Sequence, residues 1–242
     1  MDQEHIVKSF DKDLGQIESL LLEMGGIVET QISSAVKALV ERDIELGEQV
    51  RAQDKQVDDL EVQIDDLAIR LLALRQPMAE DLRAVVCALK VSSNLERIGD
   101  YAKNIAKRSS VLAQVQPIGS ASATIKRMSK LVQAMVHDVL NAYVERDGDV
   151  AEDLRLRDEE VDQMHNTLFR ELLTYMMEDA RNITPCLHLL FIAKNLERMG
   201  DHTTGVAEQV YYLVTGSLPD DDRPKSDYTS FMTAEQQDAA KH

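Results

Sequence analysis

A seven-residue motif that occurs twice is the feature that most constrains this chain. The motif reads NLERIGD from Asn94 to Asp100, and it returns 101 residues later as NLERMGD, from Asn195 to Asp201. Both copies lie in strongly helical sequence and place Gly directly before Asp, although Gly in a helix costs about 1 kcal/mol relative to Ala. The duplication predicts two similar halves, and the glycines predict that a backbone or a ligand approaches closely there.

Apolar residues spaced by three and four predict six long helices. A second repeat, VERD, ends at Asp43 and again at Asp147, and it marks the end of the first helix in each half. Asp43 is a candidate N-cap for the following helix, and Thr184 is another, which would place Pro185 at the first helical position. The helices are predicted at about 6–41, 44–74, 77–115, 121–145, 148–179 and from 184 onward. The fold class is therefore all-α, with two tandem, pseudo-symmetric three-helix bundles of long antiparallel helices.

Proline, glycine and serine after residue 116 mark the boundary between the bundles. We predict a first bundle at 1–116, a second at 117–216 and a mobile tail at 217–242, which lacks apolar periodicity. Tyr228 and Phe231 in the tail leave a docking motif open as an alternative. The predicted core stripe of the third helix and its counterpart 101 residues later are Leu95, Ile98, Ala102, Ile105, Ser109 and Leu112, and Leu196, Met199, Thr203, Val206, Val210 and Leu213.

Charge and hydropathy narrow the classes of function. A formal charge of -16 disfavours nucleic acid as a partner and favours cations and basic protein surfaces. No stretch approaches the roughly 18 apolar residues that span a bilayer, and the acidic N-terminus shows no secretory signal. Cys87 and Cys186 are isolated from each other, which fits a reducing compartment. We expect a cytoplasmic protein.

Paired carboxylates recur at matching heights on neighbouring predicted helices. In a helix, Glu96 and Asp100 lie about 40° apart around the axis, and about 165° from the core stripe, so they should face solvent or a partner. Asp54 and Asp58 on the preceding antiparallel helix reach the same height. The second half repeats this arrangement with Asp158, Asp162, Glu197 and Asp201.

Four carboxylates at one level repel each other unless a cation neutralises them. Oxygen ligands suit Mg, Mn, Ca or Fe better than Cu, so each half is predicted to bind divalent or trivalent ions, with Mg, Mn, Fe and Zn as candidates. An alternative remains open, in which all of these acids are solvated and paired with nearby Lys and Arg, as Arg97 and Arg198 could pair with the acid three residues on.

Two histidines raise a second alternative, a di-iron or other metal-dependent helical-bundle enzyme. His165 follows Asp162 by three residues and His202 follows Asp201, but the first half has no counterpart of this pattern. The sequence contains no nucleophile elbow, phosphate-cradling loop or zinc-protease motif, so we do not expect an enzyme. A structural helical module without metal is a third alternative.

The doubled NLERxGD motif in tandem three-helix halves resembles the PhoU family of phosphate-signalling regulators, over about residues 3 to 215. The resemblance implies metal clusters at the acidic motifs of each bundle, which places ligands at the eight carboxylates named above. The family's motif commonly continues to an Asn and a Glu. This chain keeps Asn104 but has Lys107, whereas the second half has Gly205 and keeps Glu208, so the two sites should differ in affinity.

For function, the resemblance implies a cytoplasmic adaptor that represses the phosphate-starvation response. Such a protein would link a phosphate ABC transporter, through its ATPase, to a membrane sensor histidine kinase. We also expect a homodimer.

Overall fold

The computed structural model describes residues 2–219, with side chains described for residues 10–150 and 153–219. The predicted tail therefore lies almost entirely outside the described residues, and so do Tyr228 and Phe231. The six α-helices are α1 (Asp2–Glu41), α2 (Ile44–Arg75), α3 (Glu80–Leu112), α4 (Ala121–Glu145), α5 (Val150–Glu178) and α6 (Ile183–Thr215), with one turn of 3-10 helix at Ala180–Asn182.

The helix ends follow local capping chemistry. Oδ1 of Asp43 accepts a hydrogen bond of 2.9 Å from the backbone N–H of Leu46, which confirms Asp43 as the cap of α2. The predicted start of α6 is wrong, because a 3-10 turn leads directly into a helix that begins at Ile183. Pro185 still lies in the first turn, where backbone N–H groups have no partner within the helix and proline is tolerated.

The VERD repeat forms the turn after the first helix of each bundle. Arg42 and Arg146 adopt the left-handed conformation, with φ of 60° and 57°. The guanidinium of Arg42 donates hydrogen bonds to the carbonyl oxygens of Ala113 at 2.7 Å and Val115 at 2.5 Å. Arg42 therefore ties the α1–α2 turn to the linker between α3 and α4.

The two bundles, here called the first lobe (α1–α3) and the second lobe (α4–α6), pack against each other through α3 with α6 and α1 with α4. Helices α3 and α6 run antiparallel, because Tyr101 lies next to Arg198 and Arg108 lies next to Phe191. Buried apolar side chains of both lobes form one continuous cluster. All twelve residues of the predicted core stripes are buried.

Candidate metal centre

The first acidic cluster lies between α2 and α3 and contains a lysine. The Asp54 side chain points inward from α2, and the residue is only 2% exposed. Nζ of Lys103 on α3 lies 2.5 Å from Oδ2 of Asp54 and 3.5 Å from Oδ1 of Asp100. Burial raises the pKa of Asp54 above its ordinary value, and the ammonium of Lys103 opposes that rise. Lys103 is thus a counter-ion that bridges carboxylates on two helices.

Glu96 lies one turn before Asp100 on α3, and the two carboxyl groups interact directly. The pKa of Glu96 is raised to about 7. Burial is the largest cause and the negative charge of Asp100 is the second, whereas the positive charge of Arg97 acts in the opposite direction. Nε of Arg97 lies 3.5 Å from Oε2 of Glu96, and its Nη1 lies 3.7 Å from Oδ2 of Asp100. Asp58, on α2, is exposed. Asp54, Glu96 and Asp100 of this lobe therefore have basic side chains beside them, although Asp54 is buried and not solvated.

The second acidic cluster lies between α5 and α6 and is more deeply buried. Glu197 is 4% exposed, and Asp158 and Asp162 on α5 are each 7% exposed. Nζ of Lys194 lies 2.8 Å from Oε1 of Glu197, whereas Oε2 of Glu197 is buried without a hydrogen-bond partner. Burial is the main reason that the pKa of Glu197 rises to about 7, with smaller contributions from Asp201 and Asp162.

The helical-wheel geometry placed Glu96 and Asp100 of α3 on a face turned to solvent or to a partner. The Glu96 side chain is only 17% exposed, and its counterpart in α6, Glu197, is buried. The reason is that α3 and α6 each pack against three other helices, so a second flank of each helix is covered. Asp100 and Asp201 are half-buried at the edge of that flank.

Side chains approach the helix closely at the motif glycines, whereas the sequence predicted the approach of a backbone or a ligand. A Cβ on Gly99 would lie 3.2 Å from Oε1 of Gln31 and 3.3 Å from Cγ1 of Val57. A Cβ on Gly200 would collide with Oδ1 of Asp158. In the second lobe, Gly therefore lets a carboxylate of the cluster reach the α6 backbone.

In both lobes a lysine ammonium lies beside the acids that would hold a metal ion. Among the described side chains, no three or more His, Cys, Asp or Glu converge in a ready ligand cage. In the first lobe, Lys103 lies between Asp54 and Asp100, so an ammonium holds the position that a bridging cation would need. In the second lobe, the buried Oε2 of Glu197 is an acceptor still lacking a hydrogen-bond donor, and the ligand types suit a hard cation.

The two histidines of the di-iron alternative lie in different surroundings. His202 belongs to the contact between the lobes, where its Nδ1 lies 2.8 Å from Oδ1 of Asn94 and its ring packs at 5.6 Å from that of Tyr101. His165 is buried on α5. His202 therefore packs in the contact between the lobes.

A basic groove between α1 and α4 is a feature that the sequence reasoning missed. The groove has a volume of about 230 Å³ and is lined by Lys37, Lys126 and Lys130, together with one acid, Glu41. A signal was present, because residues 101–137 contain six Lys and Arg and no Asp or Glu, in a chain with 43 acidic residues. The same run contains Lys103.

Comparisons with known proteins agree on one family. A family model described as "PhoU domain" matches residues 21–109 and again 125–210. A phosphate-specific transport system accessory protein PhoU homolog from Caulobacter vibrioides is 48% identical over 227 residues, which cover 94% of this chain and 99% of the relative. The homolog from Rhizobium meliloti is 44% identical over 232 residues, covering 96% and 98%.

Solved structures share the fold. The crystal structure of PhoU from Pseudomonas aeruginosa superposes with a TM-score of 0.83 at 40% identity, covering 86% of this chain and 100% of that one. The phosphate transport system regulatory protein PhoU from Streptococcus pneumoniae gives a TM-score of 0.80 at 32% identity, covering 87% and 99%. In the described part of this chain, no helix is both long and apolar enough to cross a bilayer.

Proposed function

This chain belongs to the PhoU family, and we propose that it is a regulatory accessory protein of a phosphate transport system that represses the phosphate-starvation response. The observation that carries the proposal is near-complete coverage: relatives named as accessory proteins of that system are 44–48% identical over almost the whole of both chains. Deleting the gene should switch on phosphate-starvation genes in phosphate-rich medium, measured by transcript levels. Silence of those genes would remove the regulatory role.

The finer proposal is an adaptor that contacts the transporter ATPase and a sensor histidine kinase. Two surfaces of opposite charge support it, because a protein that joins two partners needs two distinct contact regions. One is the exposed acidic row of α2, which includes Asp58 and Asp65, and the other is the basic groove of Lys37, Lys126 and Lys130.

Pull-downs with the purified ATPase and with the kinase cytoplasmic domain test the adaptor. Reversing the three groove lysines to Glu should weaken binding to one partner, and Asp58→Asn with Asp65→Asn should weaken binding to the other. Arg170→Glu, at an exposed position on α5 outside both surfaces, is the control. Equal binding of both partners by all variants would contradict this division of surfaces.

We also propose that metal binding accompanies this role. The buried acids of the motif support it, since Glu197 carries an acceptor oxygen in a low-dielectric site without a donor. Asp100→Asn combined with Asp201→Asn should lower the metal that remains bound after dialysis, measured by elemental analysis. Unchanged stoichiometry would count against these ligands, and the regulatory role would stand without them.

We further propose that the protein is a cytoplasmic homodimer without enzymatic activity. Names that describe the relatives as accessory or regulatory proteins support a non-catalytic role. Sedimentation velocity should give about twice the chain mass of 27.2 kDa. A single species at the chain mass would refute the dimer and leave the regulatory proposal intact.

A further inference from the structure

Helix α4 carries basic residues where the helix itself does not favour them. Its first turn contains no acid and its last turn contains no base, although a helix favours acids at its beginning and bases at its end. Lys126 and Lys130 follow in the next turns, four residues apart, so that two like charges adjoin on one side of the helix. Since this arrangement does not stabilise α4, its explanation lies outside the helix.

The basic groove brings these two lysines together with a third. Lys126 and Lys130 line it from α4, and Lys37 lines it from α1. The helix segments that form the two walls, residues 30–40 and 121–137, contain no Asp or Glu. The groove therefore concentrates positive charge in a chain whose formal charge is -16.

The chain itself neutralises little of this charge. Glu41 lines the end of the groove, and its Oε2 lies 3.9 Å from Nζ of Lys37, but the two side chains are 54% and 60% exposed, so solvent screens the pair. Within the described side chains, no acid forms an ion pair with Lys126 or Lys130. The groove thus presents ammonium groups to whatever enters it.

We propose that the basic groove binds a compact phosphoryl anion of the pyrophosphate class, and that this anion competes with the partner protein that the groove contacts. The binding site goes beyond the proposed function. The competition deepens the adaptor proposal and rests on it.

The donor groups of the groove favour phosphoryl oxygens over carboxylates. A planar carboxylate is matched by the fork of an arginine, whereas a lysine ammonium acts as a point charge and gains most from an anion of high charge density. The described residues that line the groove include three lysines and no arginine. The hydroxyl groups of Ser33 and Ser129 and the amide of Gln133 also line it and can donate hydrogen bonds to the same oxygens.

The size and the remaining lining residues favour a small anion without a large organic part. Pockets for drug-sized ligands measure roughly 300–1,000 Å³, and the groove, at about 230 Å³, is smaller. Val36 and Val40 are its apolar lining residues, and none of the described lining residues is aromatic. A nucleobase would therefore find no ring to stack on, and the charged groups carry the binding.

Calorimetric titration of the full chain with pyrophosphate, at constant ionic strength, tests the site. Wild type should bind one pyrophosphate per chain in a saturable reaction, and citrate, a carboxylate anion of similar charge, should bind more weakly. Lys126→Gln combined with Lys130→Gln should weaken pyrophosphate binding by about tenfold or more, because two charged donors are lost. Lys90→Gln combined with Lys107→Gln removes the same charge at two exposed positions on α3 and should leave the affinity unchanged.

Three outcomes would overturn the site. One is the absence of saturable pyrophosphate binding to wild type. Another is an equal loss in the two double variants, which would indicate a diffuse effect of charge. The third is binding to phosphatidylglycerol vesicles without binding of free pyrophosphate, which would assign the lysines to a membrane surface.

Pull-downs with the purified ATPase and the kinase cytoplasmic domain test the competition. Saturating pyrophosphate should lower, several-fold, the capture of whichever partner the groove variants fail to bind. Unchanged capture would overturn the competition. Groove-dependent capture by a protein that never binds pyrophosphate would overturn the whole inference and leave the adaptor standing. Failure of wild type to capture either partner would remove the adaptor proposal and the competition, and the calorimetry would still decide the site.

Discussion

Removing the charge of Lys103 should destabilise the fold through Asp54. Lys103→Met keeps an unbranched stem but leaves a carboxylate that is 2% exposed without its cation. Removing one partner of a fully buried ion pair costs about 3–5 kcal/mol. The Lys103 side chain is 42% exposed, so solvent screens the pair and the expected loss in the free energy of unfolding is about 2 kcal/mol.

Urea unfolding of metal-free protein, followed by circular dichroism, measures this loss in a double-mutant cycle with Asp54→Asn. If the pair acts as described, the double variant should be about 1–2 kcal/mol more stable than the sum of the single changes predicts. Lys55→Met is the matched control. Lys55 forms an exposed pair with Asp59, and its removal should leave the unfolding midpoint unchanged.

The destabilisation caused by Lys103→Met should also depend on pH, in a direction set by the pKa of Asp54. Burial already raises the pKa of Asp54 in the folded protein, and losing the opposing ammonium should raise it further. An acid with a raised folded pKa favours the fold below its unfolded pKa and loses that contribution as the pH increases through the folded pKa. The deficit of Lys103→Met should therefore be smaller at pH 4 than at pH 8. Additive single effects, or a deficit independent of pH, would refute the reasoning.

Three further outcomes are expected from metal-free protein. Gly200→Ala should lower the free energy of unfolding by about 1–3 kcal/mol, because the added Cβ collides with Asp158. Gly26→Ala should raise the free energy of unfolding by about 0.5–1 kcal/mol, because the space around Gly26 is open. Thermal unfolding measures both changes. Burial raises the pKa of Glu197 to about 7, so its neutral form favours the fold and that contribution is lost as the pH rises through 7. The free energy of unfolding of Glu197→Gln should then exceed that of wild type by about 1–3 kcal/mol at pH 8 and equal it near pH 4. Asp43→Ala should lower the free energy of unfolding, measured in urea, by about 1 kcal/mol because the cap of α2 is lost.

The fold was accessible from sequence because it depends on periodicity and duplication. Apolar spacing predicted the helices and the buried stripes of α3 and α6, and the end of α4 at Glu145 followed from the VERD repeat. Helix α6 begins at Ile183, two residues before the predicted first helical position at Pro185. Thr184 and Pro185 fit the pattern of a cap, while the preceding 3-10 turn leaves no pattern in sequence.

The candidate site was less accessible because it depends on which flank of each helix is covered. Rotation about one helix axis gave the direction of Glu96 relative to the core stripe, but its burial also depends on α2, which packs against α3. The role of Lys103 needed a distance across two helices. The sequence held one usable signal, because Lys103 in the first half corresponds to Thr204 in the second.

The hydrogen bonds from Arg42 to the linker have a consequence for movement. A segment that joins two halves of a protein can act as a hinge only when its backbone is free to change direction. Here, the carbonyl oxygens of Ala113 and Val115 accept hydrogen bonds from the side chain of Arg42, which lies in the α1–α2 turn. The two lobes should therefore move as one rigid body. A protein that binds one end of the molecule would rotate the far end by the same angle.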